Sequence, residues 1–374
     1  MKRCSRCILP ETYPGISFNE QGLCSFCSNY RGFVPRPEEI LTNHIMRAKE
    51  KKRTYDAIVP LSGGKDSTYV LYLARNVYGL NVLAYTFDNG FLTAMALRNI
   101  KSAVESLDIP HISHRPSRRI LKKLYRSVLL RTGELCSVCG IGIAHGYLKV
   151  SEDWRIPLIL EGSSASEEDS YTPERIYDVK RFKAVLRDVG DVTEREVSEF
   201  LVYDDLSPLH QAAYAKLGRF GKVTQPLLHM PKKKSEDIRQ ILREEVAWED
   251  ERDGVRARKH FDCWAEPFTN YVREHRLGYS RRVCQYSAMI RLGEMTREEA
   301  LRKLEEESPE KEPDATSRIL EELELSREQL GQITKIPLFK FDKYCYPSVL
   351  QATSWRGIWS KVAEAAGSRI ARAI

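Results

Sequence analysis

The sequence is short of the features that would place it in a membrane or outside the cell. No run of about 18 apolar residues occurs, so no transmembrane helix is expected, and the amino terminus MKRCSRC has no signal-peptide-like apolar stretch. The expectation is a soluble, cytoplasmic protein with no membrane partner. A charge excess of one sign is nearly lacking too. Lys and Arg number 59 against 52 Asp and Glu, a formal +7, which suits a nucleotide, an anionic sugar or RNA equally. The Walker A spacing G-x-x-x-x-G-K-[ST] is missing, which excludes that form of phosphate loop.

Length and cysteine are in better supply. A chain of 374 residues has room for two or three domains and a real core. Nine cysteines in an intracellular chain read as metal ligands or reactive thiols rather than disulfides. Cys4-x-x-Cys7 and Cys24-x-x-Cys27, separated by sixteen residues, have the spacing of a zinc ribbon, in which four thiolates close a tetrahedron around one ion. Ile16 to Phe18 and Asn19 to Gly22 supply a short strand and turn between the knuckles. Such a site is closed, so its role is structural or docking; an iron–sulfur centre on the same four residues is the other option.

A second feature is Pro60-Leu61-Ser62-Gly63-Gly64-Lys65-Asp66-Ser67. It follows the apolar run Asp56 to Val59, a buried strand, and precedes Thr68 to Ala74, a helix. Strand, glycine turn and helix together form a phosphate-binding geometry. Gly63 and Gly64 let the backbone approach an anion, Ser62 and Ser67 add hydroxyls, and the helix offers unpaired N–H groups. Lys65 adds a full charge.

From Asp56 the pattern alternates strand and helix for more than a hundred residues. Ile58–Leu61, Val82–Phe87, His111–His114 and Leu158–Leu160 are the strands, with helices between them such as Ala94–Leu107. That implies an α/β fold with a doubly wound parallel sheet, whose ligands sit beyond the carboxyl ends of the strands. The second strand ends at Asp88, and the fourth runs into Glu161-Gly162-Ser163-Ser164 and an acidic finish suited to Mg²⁺. Cys136-x-x-Cys139 lies between the third and fourth strands. It is a redox pair, a pair of inert buried thiols, or part of a metal site completed by Cys284, Cys263 or Cys345.

The remaining stretches are read more coarsely. Pro35, Pro37 and the charged run Arg47 to Arg53 suggest a linker and a solvated helix. Thr193/Glu196, Thr296/Glu299 and Ser326/Gln329 stand in capping-box relation, so helices begin there. Lys232, Lys233 and Lys234 precede a helix with acidic residues in its first turn, and Lys234 is a candidate phosphate contact. Tyr344 to Pro347 and the basic end Trp355 to Ile374 suit a docking surface, a homodimer contact or plain packing. The division expected is a ribbon over 1–32, a linker helix over 33–55, a nucleotide domain over 56–240, a substrate or cap region over 241–310 and a helical tail over 311–374.

The loop S-G-G-K-D-S resembles the PP-loop of the N-type ATP pyrophosphatases, whose fold is adenine nucleotide alpha hydrolase-like. That resemblance implies ATP and Mg²⁺, cleavage between the α and β phosphates, and adenylation of a carbonyl oxygen. It places Ser62, Gly63, Gly64, Lys65, Asp66, Ser67, Asp88, Gly162 and Lys234 around the nucleotide, with Lys65 and Asp66 catalytic. More narrowly, the opening C-x-x-C-I-L-P-E-T-x-P-G, the segment His260 to Trp264, Leu277 to Arg282 and Ser287 to Ala300 resemble the N-acetyl sugar amidotransferases of surface-polysaccharide biosynthesis. Arg281, Arg282 and Arg291 are candidate anion contacts in this part. The resemblance implies ammonia as nucleophile and a sugar as acceptor. It also implies a glutaminase partner, since no Cys-His-Glu module is visible. Cys136 and Cys139 depart from that family's pattern. With Cys284 they match PP-loop enzymes that hold a [4Fe-4S] cluster and thiolate tRNA, the alternative expectation.

Overall fold

A computed structural model of the chain describes residues 2–170, 179–203, 213–252, 255–256, 261–307 and 312–338. Five short strands lie at its centre: β1 (Ala57–Pro60), β2 (Val82–Phe87), β3 (His111–His114), β4 (Leu158–Leu160) and β5 (Lys222–Thr224). Their order is β3-β2-β1-β4-β5 and every pairing is parallel, with Ala57 opposite both Val82 and Leu158. Parallel strands need crossover helices that cover both faces, which is why β2 is buried along its whole length. The doubly wound α/β sheet expected from the alternating pattern is therefore the fold. A small antiparallel pair, β6 (Glu251–Arg252) and β7 (Val255–Arg256), stands apart from it.

The helices in chain order are α1 (Ser25–Ser28), α2 (Glu38–Glu50), α3 (Lys65–Tyr72), α4 (Ala94–Ser106), α5 (Arg118–Thr132), α6 (Cys136–Asp153), α7 (Ala165–Glu168), α8 (Val179–Val189), α9 (Glu194–Phe200), α10 (Ser235–Val246), α11 (Glu266–Leu277), α12 (Arg281–Arg291), α13 (Arg297–Glu307), α14 (Ala315–Glu322) and α15 (Arg327–Ile333). On one face of the sheet α2, α3, α4 and α10 bury Ile45, Val70, Ile100 and Leu242. On the other, α5, α6, α8 and α9 bury Leu124, Val138, Val185 and Phe200. Helix α6 lies unusually close to β2. A Cβ on Gly142 would meet the Phe87 ring at 2.4 Å and one on Gly146 would meet Tyr85 Oη at 1.8 Å, so only glycine fits at these points.

One stretch differs from expectation, and a fifth strand joins the four expected. Residues 33–55 are not a solvated linker: α2 buries Leu41, Ile45 and Ala48 and packs on β4 and β5. That i, i+4, i+7 stripe is hidden among charges in the sequence, but it is enough to seat the helix. The fifth strand falls on Lys222–Thr224, while the more apolar Pro226–Leu228 forms a 3₁₀ turn. Pro226 lacks the N–H a parallel neighbour would need, so the strand ends before it.

A third cluster joins the ribbon to the C-terminal helices. Tyr13 packs on Tyr279 with ring centroids 5.5 Å apart, and Arg297 Nε donates to the carbonyls of Cys4 and Cys7 at 3.3 and 3.2 Å. Buried Arg282 pairs with Glu266 at 2.9 Å and with Glu307, tying α11, α12 and α13 together. The boxes at Thr193, Thr296 and Ser326 are all present. Helices α14 and α15 pack Ile319 and Ile333 into the core beside α5. Cys345, Tyr344 to Pro347 and Trp355 to Ile374 lie outside the described residues. Among those described, no helix is long and apolar enough to cross a membrane.

Candidate active site

The glycine loop sits at the carboxyl end of β1, and α3 begins at Lys65 with Gly64 as its N-cap. Gly63 takes φ +79°, and a Cβ there would meet the Ala96 carbonyl oxygen at 2.4 Å, so glycine is required twice over. The loop braces itself. Ser62 N–H donates to Ser67 Oγ at 3.2 Å, Gly64 N–H to Ser62 Oγ at 3.3 Å, and the hydroxyls of Ser67 and Thr68 both donate to the Gly64 carbonyl. Ser67 thus spends its hydroxyl on loop geometry. Lys65 pairs with neighbouring Asp66.

Distant residues hold the same turn. The Gly63 carbonyl accepts from Asn99 Nδ2 at 3.3 Å and from the buried Trp248 Nε1 at 2.9 Å. Asn99 also exchanges two hydrogen bonds with the backbone of Glu249, locking α4 to the chain after α10. Gly162, just past β4, backs onto the loop so closely that a Cβ would stand 2.7 Å from Ser67 Cα. Asp262 faces the loop from the C-terminal region: a Cβ on Gly64 would lie 3.7 Å from its Oδ2. Burial pushes the Asp262 carboxyl up, against the pull of Ser62 and the Arg281 charge.

The segment carrying Asp262 runs antiparallel to the chain leaving β2. Thr93 N–H and Oγ1 donate to the carbonyls of Asp262 and Phe261 at 3.1 and 2.8 Å, and Trp264 N–H donates to Phe91 at 2.9 Å. Cys263 thereby comes within electrostatic reach of Cys136 and Cys139 at the start of α6. Burial pushes the Cys263 thiol well up, with Cys139 and then Cys136 acting in the same direction. Cys139 Sγ lies 3.1 Å from the buried Tyr125 hydroxyl and 3.5 Å from Asn89 Nδ2. Cys284, expected with this pair, is elsewhere. It packs with the ribbon, 3.9 Å from Arg273 Nη2. The reason is topological: α12 turns towards the ribbon, while the bridge Leu92–Cys263 reaches the sheet.

The other candidate residues are tied up locally. Asp88 pairs with Arg115 and accepts from Gly90 N–H at 3.0 Å. In the loop after β4, Glu161 accepts from the Tyr147 hydroxyl at 2.6 Å, and Asp169 accepts from buried Arg291 Nε at 2.7 Å. The acidic finish read as a Mg²⁺ site is thus partly engaged by protein donors. Arg282 and Arg291 are spent on ion pairs, whereas Arg281 faces Asp262. Lys234 is an exposed helix N-cap, and among the described residues no hydrogen bond joins it to the loop.

The ribbon cysteines do converge. Their four sulfurs lie within 4.8 Å of one another, all buried, with Cys7 Sγ 3.8 Å from Cys24 Sγ. A tetrahedral ion with bonds of about 2.3 Å sets its sulfurs about 3.8 Å apart, so the set fits one zinc-sized ion. Hydrogen bonds from Cys24 and Cys27 draw the Cys7 thiol down, while bonds from Cys24 and Cys7 push the Cys27 thiol up. Backbone N–H groups of Cys7 and Cys24 point at Cys4 Sγ at 3.5 and 3.2 Å. Among the described residues no other His, Cys, Asp or Glu group gathers so tightly. Cys136, Cys139 and Cys263 therefore do not suit a single ion; a polynuclear cluster, with metal atoms between the sulfurs, tolerates the wider spacing.

Comparison with known proteins adds a family match at the C-terminal end. Residues 257–356 match the model of the LPS biosynthesis protein WbpG-like C-terminal domain. The uncharacterized protein MJ1599 of Methanocaldococcus jannaschii is 25% identical over 166 residues, which is 42% of this chain and 55% of that protein. The chain thus spans about half the length of this curated relative. Among solved structures, the U34-tRNA thiolase NcsA from Methanococcus maripaludis with its [4Fe-4S] cluster is similar over 84% of this chain and 91% of that one. Identity is 15% and the TM-score 0.32, a likeness too loose to carry a functional conclusion.

Proposed function

We propose that the protein is an ATP-dependent enzyme of surface-polysaccharide biosynthesis that adenylates the carbonyl oxygen of an N-acetylated sugar and replaces it with ammonia-derived nitrogen. The observation that carries the reading is the braced loop Ser62 to Ser67 at the end of β1, held by Asn99, Trp248 and Gly162. The match of residues 257–356 to an LPS biosynthesis domain supports the sugar as acceptor class. In the first step the acetamido oxygen forms a bond to the α-phosphorus as the bond to the departing pyrophosphate breaks. The N–H groups of the first turn of α3, with Lys65, stabilise the charge that builds on pyrophosphate. Mg²⁺ enters as part of the nucleotide substrate and shares that load. In the second step ammonia adds at the activated carbon and AMP leaves with the former carbonyl oxygen, giving an acetamidino group. A separate glutaminase supplies the ammonia, and the cytoplasm is where nucleotide and sugar meet. The ribbon holds zinc in a structural role.

A second reading is favoured by one observation, the approach of Cys263 to Cys136 and Cys139 directly beside Asp262. Consecutive Cα atoms are about 3.8 Å apart, so Cys263 is anchored next to Asp262, whose carboxylate stands against Gly64 of the loop. In that reading the three cysteines hold an iron–sulfur cluster, sulfide replaces ammonia, and the acceptor is tRNA or a small molecule. One incubation separates the two: anaerobic protein, Mg-ATP and an N-acetylated nucleotide sugar, with ammonium or sulfide. AMP release that needs the sugar, with oxygen exchanged for NH in the product, is expected. Turnover only with sulfide overturns the first reading.

A further inference from the structure

Asp262 poses a problem for a loop that takes a polyphosphate. Its carboxylate stands against Gly64, the N-cap of α3, where a Cβ would lie 3.7 Å from Oδ2, so it faces the place where the terminal phosphates of a nucleotide would rest. Lys65 is matched by Asp66, so among the described residues Arg281 is the cation set against it, one positive charge facing a carboxylate and a polyphosphate together. A carboxylate beside a bare polyphosphate is repelled, and more strongly in a half-buried place than in water. Nor is it free to swing away, because Thr93 clamps the backbone on both sides of it with bonds to the carbonyls of Phe261 and Asp262.

On the reading of the loop as a nucleotide site, we infer that Asp262 makes the loop selective for the divalent-cation complex of ATP: its carboxylate rejects the bare polyphosphate and accepts one whose charge is reduced by Mg²⁺. The Thr93 bonds fix the backbone that carries the carboxylate at the loop. The rule acts on the terminal phosphates alone, so AMP escapes it. Asp262→Asn keeps the shape while removing the charge. Asp262→Ser does the same with less bulk and stands in if the first variant folds poorly.

The test is calorimetric titration of the full chain with an α,β-methylene analogue of ATP, and separately with AMP, in Mg²⁺ and in EDTA. Wild type is expected to lose at least about tenfold in affinity for the analogue when Mg²⁺ is removed. The two variants are expected to lose about threefold or less, by binding more tightly in EDTA, and AMP is expected to be indifferent to Mg²⁺ throughout. Variants that keep the wild-type ratio, or a wild type indifferent to Mg²⁺, overturn the role of Asp262. Failure of wild type to bind any adenine nucleotide overturns the nucleotide reading itself.

Discussion

Gly162 and Ser67 are in backbone contact: a Cβ on Gly162 would stand 2.7 Å from Ser67 Cα and 2.8 Å from its amide nitrogen. The end of β4 thus forms the rear wall of the phosphate loop. Because both partners are backbone, Gly162→Ala must move one of them. Overpacking of this kind costs about 1–3 kcal/mol, read by urea denaturation, and nucleotide affinity is expected to fall with it. A variant as stable and as tight-binding as wild type would show that the contact does not shape the loop.

The ribbon is expected to carry one zinc ion per chain. Cys24→Ser should lose it and raise hydrogen exchange over residues 2–30. Exchange should also rise over α12 and α13, since Arg297 and Ser287 anchor the ribbon to them. Metal content by mass spectrometry and exchange of the apo protein check this. Iron and sulfide in the four-cysteine site would contradict it.

For the second cysteine group the structure distinguishes Cys263 from Cys284. If anaerobic preparations contain iron and acid-labile sulfide, Cys263→Ala should lose them and Cys284→Ala should retain them. Loss with Cys284→Ala alone would mean that the bridge from Leu92 to Cys263 does not bring the third ligand.

His145 should make the protein sensitive to acid. It is buried, and its Nδ1 accepts the N–H groups of Val202 and Tyr203 at 3.0 and 3.3 Å. Burial, helped by the charge of Lys183, holds it down at about 4 from its ordinary value of 6.5. The unfolded chain then takes up a proton that the folded state refuses. Stability is complete above pH 6.5 and falls as pH drops towards 4, by about 3 kcal/mol from this residue. Urea unfolding across that window should show a flatter profile for His145→Gln; an unchanged slope would remove His145 as the cause.

Four strands, the phosphate loop, the ribbon and three capping boxes were legible because each is written in neighbouring residues. The rest depends on contacts across long sequence separations. Asp262 lies two hundred residues from Ser62, and the bridge of Cys263 against Leu92, with the bonds from Thr93, brings it there. Trp248 looks like any core aromatic until its Nε1 is found on the Gly63 carbonyl. Cys284 was a reasonable third ligand by residue type, but the direction of α12 sends it to the ribbon. Asp169 looked like a cation ligand because buried Arg291, its partner, comes from a helix far along the chain.

The central claim is that the loop directs cleavage between the α and β phosphates of ATP. Chromatography of nucleotides after incubation with Mg-ATP, acceptor and ammonium tests it most directly. The account predicts AMP and pyrophosphate in equal amounts, abolished in Asp66→Ala and Ser62→Ala chains that still fold. ADP and phosphate as products would contradict it.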